Sequence, residues 1–264
     1  MTHVSVVIPV KDDAPMLENC LESLRRQSRA PDEIIVVDNG STDDSVWVAR
    51  LSGATVITES RPGITAAASC GYDAAHGDVI ARCDADSVLP TDWLARIEHV
   101  LAEHTEAAAV TGSARFYDLG RAADLLARLF YLSGYFVSVR AAIANTPLFG
   151  SNFAMRREAW MLVSGSVPRD EPELHDDLDL SYRIPPEQTI LFDRQLVVGI
   201  SGRPFKDLAA IRRRMTRAGV TLRQHWPEQL PHRRWARKLR AQAHTVGRPP
   251  AGEGTMPPSS AGRS

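Results

Sequence analysis

Gly77-Asp78-Val79-Ile80-Ala81-Arg82-Cys83-Asp84-Ala85-Asp86 is the stretch from which the fold can be read. Gly77 and Asp78 stop the helical composition of residues 66–75, and residues 79–83 form a short apolar run that reads as a buried strand. The run breaks off in two carboxylates two positions apart. A similar pattern occurs twice upstream. Val4–Val10 is closed by Lys11, Asp12 and Asp13, and residues 34–37 end in Asp38-Asn39-Gly40-Ser41-Thr42-Asp43. Between them, Leu17, Cys20, Leu21 and Leu24 fall at helical spacing, with Pro15 where a first turn tolerates it. Residues 54–58 read as a further strand, and Trp93, Leu94, Ile97 and Leu101 mark another amphipathic helix. Alternation of apolar strands with helices predicts an α/β fold, Rossmann-like, with a mainly parallel central sheet flanked by helices. Open sheets of this kind bind ligands beyond the carboxyl ends of their strands. Asp38, Asp84 and Asp86 are therefore expected at the mouth of a cleft.

The second half is less regular. Residues 125–139 form a hydrophobic helix candidate, Gly150-Ser151-Asn152 precedes a strand passing into a helix, and a last strand falls near residues 190–200. Residues 207–217 read as a basic helix, and the Pro-, Gly- and Ser-rich stretch 247–264 as disordered. The expected division is a ligand-binding half over residues 1–104, a second half of the same domain over 105–205, a basic helical C-terminal extension over 206–246, and the tail.

Charge sharpens that division. The 264 residues carry a net charge of only −1, but residues 203–264 hold 14 Lys/Arg against 3 Asp/Glu, leaving 17 against 29 in the body. The basic segment suits an anionic partner such as lipid or phosphate, or is simply a solvated helix. Trp226 and Trp235 among its arginines give it the look of a membrane-interfacial segment. Nucleic acid is the weaker explanation, because no recognition motif accompanies the charge. Three cysteines without paired spacing argue against a disulfide framework. The N-terminus runs straight into the first strand with no secretory pattern, and no uncharged apolar run reaches 18 residues, Arg128 and Arg140 interrupting residues 125–149. The expectation is a cytoplasmic protein, peripheral at most at the inner face of a membrane.

Three constellations carry candidate chemistry. Asp84 and Asp86 can converge on one hard divalent cation or on a ligand beside it; the bland alternative is a solvated turn. Asp38 and its turn cap a helix, and Asp38 is placed to accept hydrogen bonds from a base or ribose. Asp176-Asp177-Leu178-Asp179 starts a helix, where the macrodipole favours carboxylates; burial there can poise one of them as a general base. His175 beside them is read as structural, since neighbours on a helix rarely chelate one ion together.

In combination these stretches resemble family 2 glycosyltransferases of the GT-A fold. The likeness rests on residues 4–10, 33–43, Arg61-Pro62-Gly63, 77–87, 150–157 and 176–183, in that order, and covers about residues 3–205. It implies a nucleotide-diphospho-sugar donor, UDP-linked first among the choices, with Mn²⁺ or Mg²⁺ and inversion at the anomeric carbon. By the same resemblance, Pro9, Val10 and Asp13 line the base pocket and Asp38 contacts base or ribose. Asp84 holds the ribose or sugar side and shares the metal with Asp86. Asp177 is the catalytic base. Gly150, Asn152 and Asp176 lie on the acceptor side, as does Arg183, which pairs with the base or with phosphate. Arg203 reaches the diphosphate or belongs to a surface turn.

The chain also departs from the pattern. Asp176 replaces the usual Glu before the base, and Ala68-Ser69 stands where relatives carry Arg-Asn. Arg82 either compensates for that lost charge at the donor or forms a structural ion pair. No His falls between Asp176 and Gln224 to serve as an additional metal ligand, and His225 and His232 are read as surface residues. The acceptor is expected to be a cell-envelope glycan or lipid-linked hydroxyl. The competing reading, motivated by Ala68-Ser69, is a catalytically inactive nucleotide-sugar-binding module. A nucleotidyltransferase is disfavoured because Val10-Lys11-Asp12-Asp13 lacks a glycine-rich phosphate loop.

Overall fold

The computed structural model describes residues 2–206 and 208–246. Strands β1 (Val4–Val10), β2 (Glu33–Asp38), β3 (Thr55–Thr58), β4 (Val79–Arg82), β5 (Ala107–Phe116), β6 (Phe153–Arg156) and β7 (Thr189–Ile200) form one seven-stranded sheet in the order β3-β2-β1-β4-β6-β5-β7. Adjacent strands run parallel except where β6 meets β4 and β5. Every residue of β1 is buried, as a central strand covered on both faces requires. Successive side chains alternate between the faces. Val6 and Ile8 pack in one core with Leu17, Cys20 and Leu24 of α1 (Ala14–Arg25). Helix α2 (Ser45–Leu51) follows β2, and Tyr72 of α3 (Ile64–Ala74) joins Val7 in the opposite core. Trp93 and Ile97 of α4 (Trp93–Glu103) lie on the α1 face.

Helix α5 (Arg121–Leu126), a π-helical segment at Ala127–Leu132 and α6 (Ser133–Ile143) run as one helix. By length and composition the stretch Arg121–Ile143 is apolar enough to cross a membrane, although Arg128 and Arg140 leave it no uncharged run of 18 residues. Helices α7 (Arg157–Val163) and α8 (Asp176–Arg183) follow. The basic extension forms α9 (Leu208–His225) and α10 (Pro231–Val246), so the helix expected at 207–217 continues eight residues further and a second one follows it. Asp207 and the expected disordered segment 247–264 lie outside the described residues.

Strand direction determines where the polar loops meet. Val10 pairs with Asp38, and Val7 with Arg82, so β1, β2 and β4 end at one edge. Because β6 is antiparallel, with Phe153 opposite Arg82, its start brings residues 150–152 to that edge. Phe116 pairs with Ile200, so β5 and β7 end there as well.

Candidate active site

A cavity of about 380 Å³ opens at this edge. Pro9, Val10 and Asp13 line it from the end of β1, Arg82, Asp84 and Asp86 from β4, Gly150 and Ser151 from the start of β6, Asp176 and Asp177 from α8, and Arg203 from beyond β7. Acidic groups almost a hundred positions apart in the sequence thus share one hollow.

Arg82 ties its two sides together. The guanidinium is buried; Nη1 donates to Asp176 and to the Tyr72 hydroxyl, and Nη2 to Asp84 Oδ1 at 3.1 Å. Burial opposes its charge, but Asp176, Tyr72, Asp84 and Asp177 outweigh that and hold its pKa well above the ordinary value. Arg82 is therefore an internal ion-pair former. Ala68 and Ser69, both buried on α3, carry no charge that could take over from it. The second oxygen of Asp84 accepts from Ser151 Oγ at 2.6 Å, so that carboxylate is held from two directions. Asp86 is less compensated. Its nearest cation is Arg203, 3.5 Å away, while Arg203 makes a bidentate pair with Asp13 at 2.6 and 2.9 Å. Burial, together with the charge of Asp84, pushes the Asp86 carboxyl up to about 6.

Asp177 is buried at the first turn of α8. Its Oδ2 accepts the Gly150 N–H at 2.7 Å, and its Oδ1 lies 2.5 Å from His175 Nδ1. Burial raises its pKa, but His175, Arg82 and the Gly150 N–H lower it by more, and the net direction is down. Burial likewise opposes charging of His175, yet Asp177 and Asp176 raise its pKa. Asp176 shifts upward through burial, in part offset by Arg82. The sequence reading set His175 aside as a helical neighbour. The residue in fact precedes α8 in extended conformation, with ψ 102°, and one ligand atom from each of His175, Asp176 and Asp177 falls within 4.8 Å of the others. The adjoining Asp pair was the available signal. Tyr131 and Tyr135, one helical turn apart, and Arg214 and Arg217 of α9 also line the cavity and were missed.

Two acidic groups could therefore receive a cation. In the His175 cluster, Arg82 already compensates Asp176 and His175 compensates Asp177. The Asp84–Asp86 pair offers hard oxygens and, in Asp86, a half-buried carboxylate that Arg203 compensates only in part, and so fits a divalent cation better.

Several expected site residues lie elsewhere. Asn152 is completely buried; it accepts from Trp93 Nε1 at 2.8 Å and donates to the carbonyls of Ser113 and Leu196. It cross-links β5, β7 and α4 and does not face an acceptor. Arg183 points away from the cleft, because a helical i, i+4 pair with Asp179 captures it at 2.6 and 3.0 Å. Asp38 is buried and accepts the Ser41 N–H at 2.9 Å, which shapes the turn, and it does not line the cavity. His225 is not a surface residue. It is buried, 2.7 Å from Asp179 and stacked on Tyr182, while His232 is exposed as expected. The indole N–H groups of Trp226 and Trp235 bond inward, to the Tyr182 hydroxyl and the Ala141 carbonyl. Trp93 and Trp160 are core residues.

Residues 5–161 match the family model described as Glycosyl transferase family 2. An uncharacterised glycosyltransferase of Mycobacterium tuberculosis, Rv0539, is 36% identical over 94 residues, covering 36% of this chain and 41% of that protein. The chain spans between 29% and 41% of the length of the first curated relatives it matches. Among solved structures, the mannosyltransferase PcManGT from Pyrobaculum calidifontis, in complex with GDP-Man and Mn²⁺, superposes with a TM-score of 0.64 at 21% identity, over 96% of this chain and 76% of that one. Glucosyl-3-phosphoglycerate synthase from Mycobacterium tuberculosis, with Mn²⁺, UDP and glucosyl-3-phosphoglycerate, gives 0.56 at 24% identity, over 83% and 80%. At these identities the structural likeness is one of fold, the GT-A fold.

Proposed function

Since the chain belongs to glycosyl transferase family 2, we propose that it moves a sugar, with inversion, from a nucleotide-diphospho-sugar to an acceptor hydroxyl on a cell-envelope glycan or lipid-linked molecule. A UDP-sugar is the first donor to test, with Mn²⁺ or Mg²⁺ as the cation, and work at the cytoplasmic face of a membrane is part of the proposal. The observation that carries this reading is the shared cavity, in which Asp84 and Asp86 stand on one side and Asp177 on the other, with Arg82 between them.

Each residue has work that its surroundings suit. Asp84 and Asp86 would hold the cation, which when bound offsets charge developing on the departing diphosphate as a Lewis acid. Arg203, its Nη1 and Nη2 paired with Asp13 beside Asp86, offers a fixed positive charge and its remaining N–H groups to a phosphate. Pro9 and Val10 form an apolar wall for the base. Asp177, kept ionised and oriented by Gly150 N–H and His175, takes the proton from the attacking hydroxyl. Asp176 stays bound to Arg82 and thereby spaces the two sides.

Thermal shift against UDP-, GDP- and dTDP-sugars with Mn²⁺ tests the donor, since a ligand that binds only the folded chain raises its melting temperature. Asp86→Asn and Asp177→Asn are each expected to slow nucleotide release by about two orders of magnitude or more. Wild-type release rates in both variants would refute transfer. Donor binding without turnover on any acceptor would instead favour the inactive binding module.

A further inference from the structure

The helix Arg121–Ile143 has two faces with different surroundings. Leu132, Val139 and Ile143 are buried against the domain, and Tyr131, Leu132 and Tyr135 line the cavity. On the other face Leu125, Leu126, Leu129, Phe130 and Val137 are exposed, Phe130 by 75% and Val137 by 70%. The pairs 125/126 and 129/130 recur one turn apart and make an apolar strip, which Val137 extends two turns on, past exposed Ser133 and Gly134. Scattered exposed leucines need no explanation, but a contiguous strip on one helix does. A spanning helix would have to leave the domain, whereas this one keeps a docked face; its geometry is that of a helix lying in an interface.

Charge identifies what covers the strip. Arg121 and Arg140 are exposed at its two ends, and Arg128 lies partly exposed within it. Helix α10 packs beside α6, with Trp235 Nε1 donating to the Ala141 carbonyl and half-buried Lys238 donating to Asn145 Oδ1 at 3.3 Å, and it carries the exposed Arg240. Of the ten Lys/Arg between residues 208 and 246, Arg234 is buried, Arg214 and Arg217 line the cavity and Arg237 pairs with Glu187, while Arg223, Arg233 and Arg240 are exposed; the one acidic residue in that span is Glu228. A second copy seated on the strip would confront like charges, whereas an anionic lipid surface would satisfy them. We propose that the chain docks on an anionic bilayer through the exposed face of Arg121–Ile143, with the cations of that helix and of α10 at headgroup level. The docked helix also forms a wall of the cavity, which gives a lipid-linked acceptor a short path from the bilayer. That last clause rests on the glycosyl-transfer reading, but the docking does not.

The test is flotation of the full chain with vesicles of phosphatidylcholine alone or mixed with phosphatidylglycerol. The wild type is expected to float with the anionic vesicles and to release as salt rises. Leu126→Ser, Phe130→Ser and Val137→Ser together are expected to weaken binding about tenfold or more while leaving the melting temperature and the donor-induced shift unchanged. In a Cys70→Ser background, an environment-sensitive dye on Phe130→Cys is expected to shift to the blue when anionic vesicles are added. Failure of the wild type to float, equal flotation of the triple variant, or a sedimenting dimer that the triple variant dissolves would each overturn the proposal. Because binding is read without turnover, these failures are distinct from failure of the donor reading.

Discussion

His175 owes its position to one backbone detail. It sits one residue ahead of α8 in extended conformation, which turns its ring onto Asp177 instead of away along a helix surface. The pair is stabilising only while both partners are charged. His175 titrates above its usual 6.5, so its contribution is complete below 6.5 and is lost as pH rises through the raised value. Asp177 titrates below 3.8, so its contribution is complete above 3.8 and is lost as pH falls through the lowered value. The full effect therefore spans 3.8 to 6.5. His175→Gln is expected to cost about 2 kcal/mol inside that window and clearly less in alkaline buffer. Chemical denaturation at several pH values measures this, and a pH-independent loss would mean that the ring acts through packing alone. The same proton bears on catalysis. As His175 loses it, Asp177 becomes a stronger base, so transfer is expected to rise on the alkaline side of 6.5, and the variant to lack that limb.

At the scale of elements, β5 is both the least legible strand and one of the most constrained. Ala107-Ala108-Ala109 has the composition of a helix, yet the segment is buried between β6 and β7. Tertiary pairing overrides a weak local preference there. At Gly112 an added Cβ would lie 1.9 Å from the Leu196 carbonyl oxygen and 2.7 Å from Asn152 Nδ2, so the strand tolerates no side chain at that point. Gly112→Ala is expected to cost about 2–4 kcal/mol, read by denaturant unfolding, because backbone must move and the Asn152 cross-link with it. By contrast β1, β2 and β4 were plain from sequence, since each is an apolar run ended by acidic residues. That termination also located Asp84 and Asp86. Asn152 was misplaced because a motif position says nothing about direction, and only the antiparallel insertion of β6 shows that its side chain turns into the sheet. The π-helical segment left no signal in the sequence, although it bears Tyr131 on the cavity wall.

At the scale of the whole molecule, the charge split announced a distinct C-terminal segment but not how it is fastened. A count of arginines cannot tell a solvated residue from Arg234, which is 1% exposed. Its guanidinium donates to the carbonyls of Ile143 at 2.6 Å, Tyr182 at 2.8 Å and Ile184 at 3.1 Å, and to the Gln229 amide oxygen. It also lies over the Tyr182 ring, 5.0 Å from the centroid. Burial lowers its pKa to about 10, so it remains charged at neutral pH and needs those acceptors. Helix α6, the end of α8 and α10 are thus joined by one side chain, with the His225–Asp179 contact adding α9. Arg234→Met retains an apolar stem but leaves three carbonyls unpaired, a loss of about 3–5 kcal/mol concentrated at this junction. The expected outcome is local release of α9 and α10, seen as faster amide exchange and proteolysis over residues 208–246. The donor-induced thermal shift should persist, because Pro9, Asp84 and Asp86 stand on the sheet edge. Transfer should still fall, because Arg214 and Arg217 of α9 complete the opposite wall of the cavity. Equal loss of donor binding would show instead that the extension is integral to the sheet domain, and that the two sides of the cavity do not separate energetically.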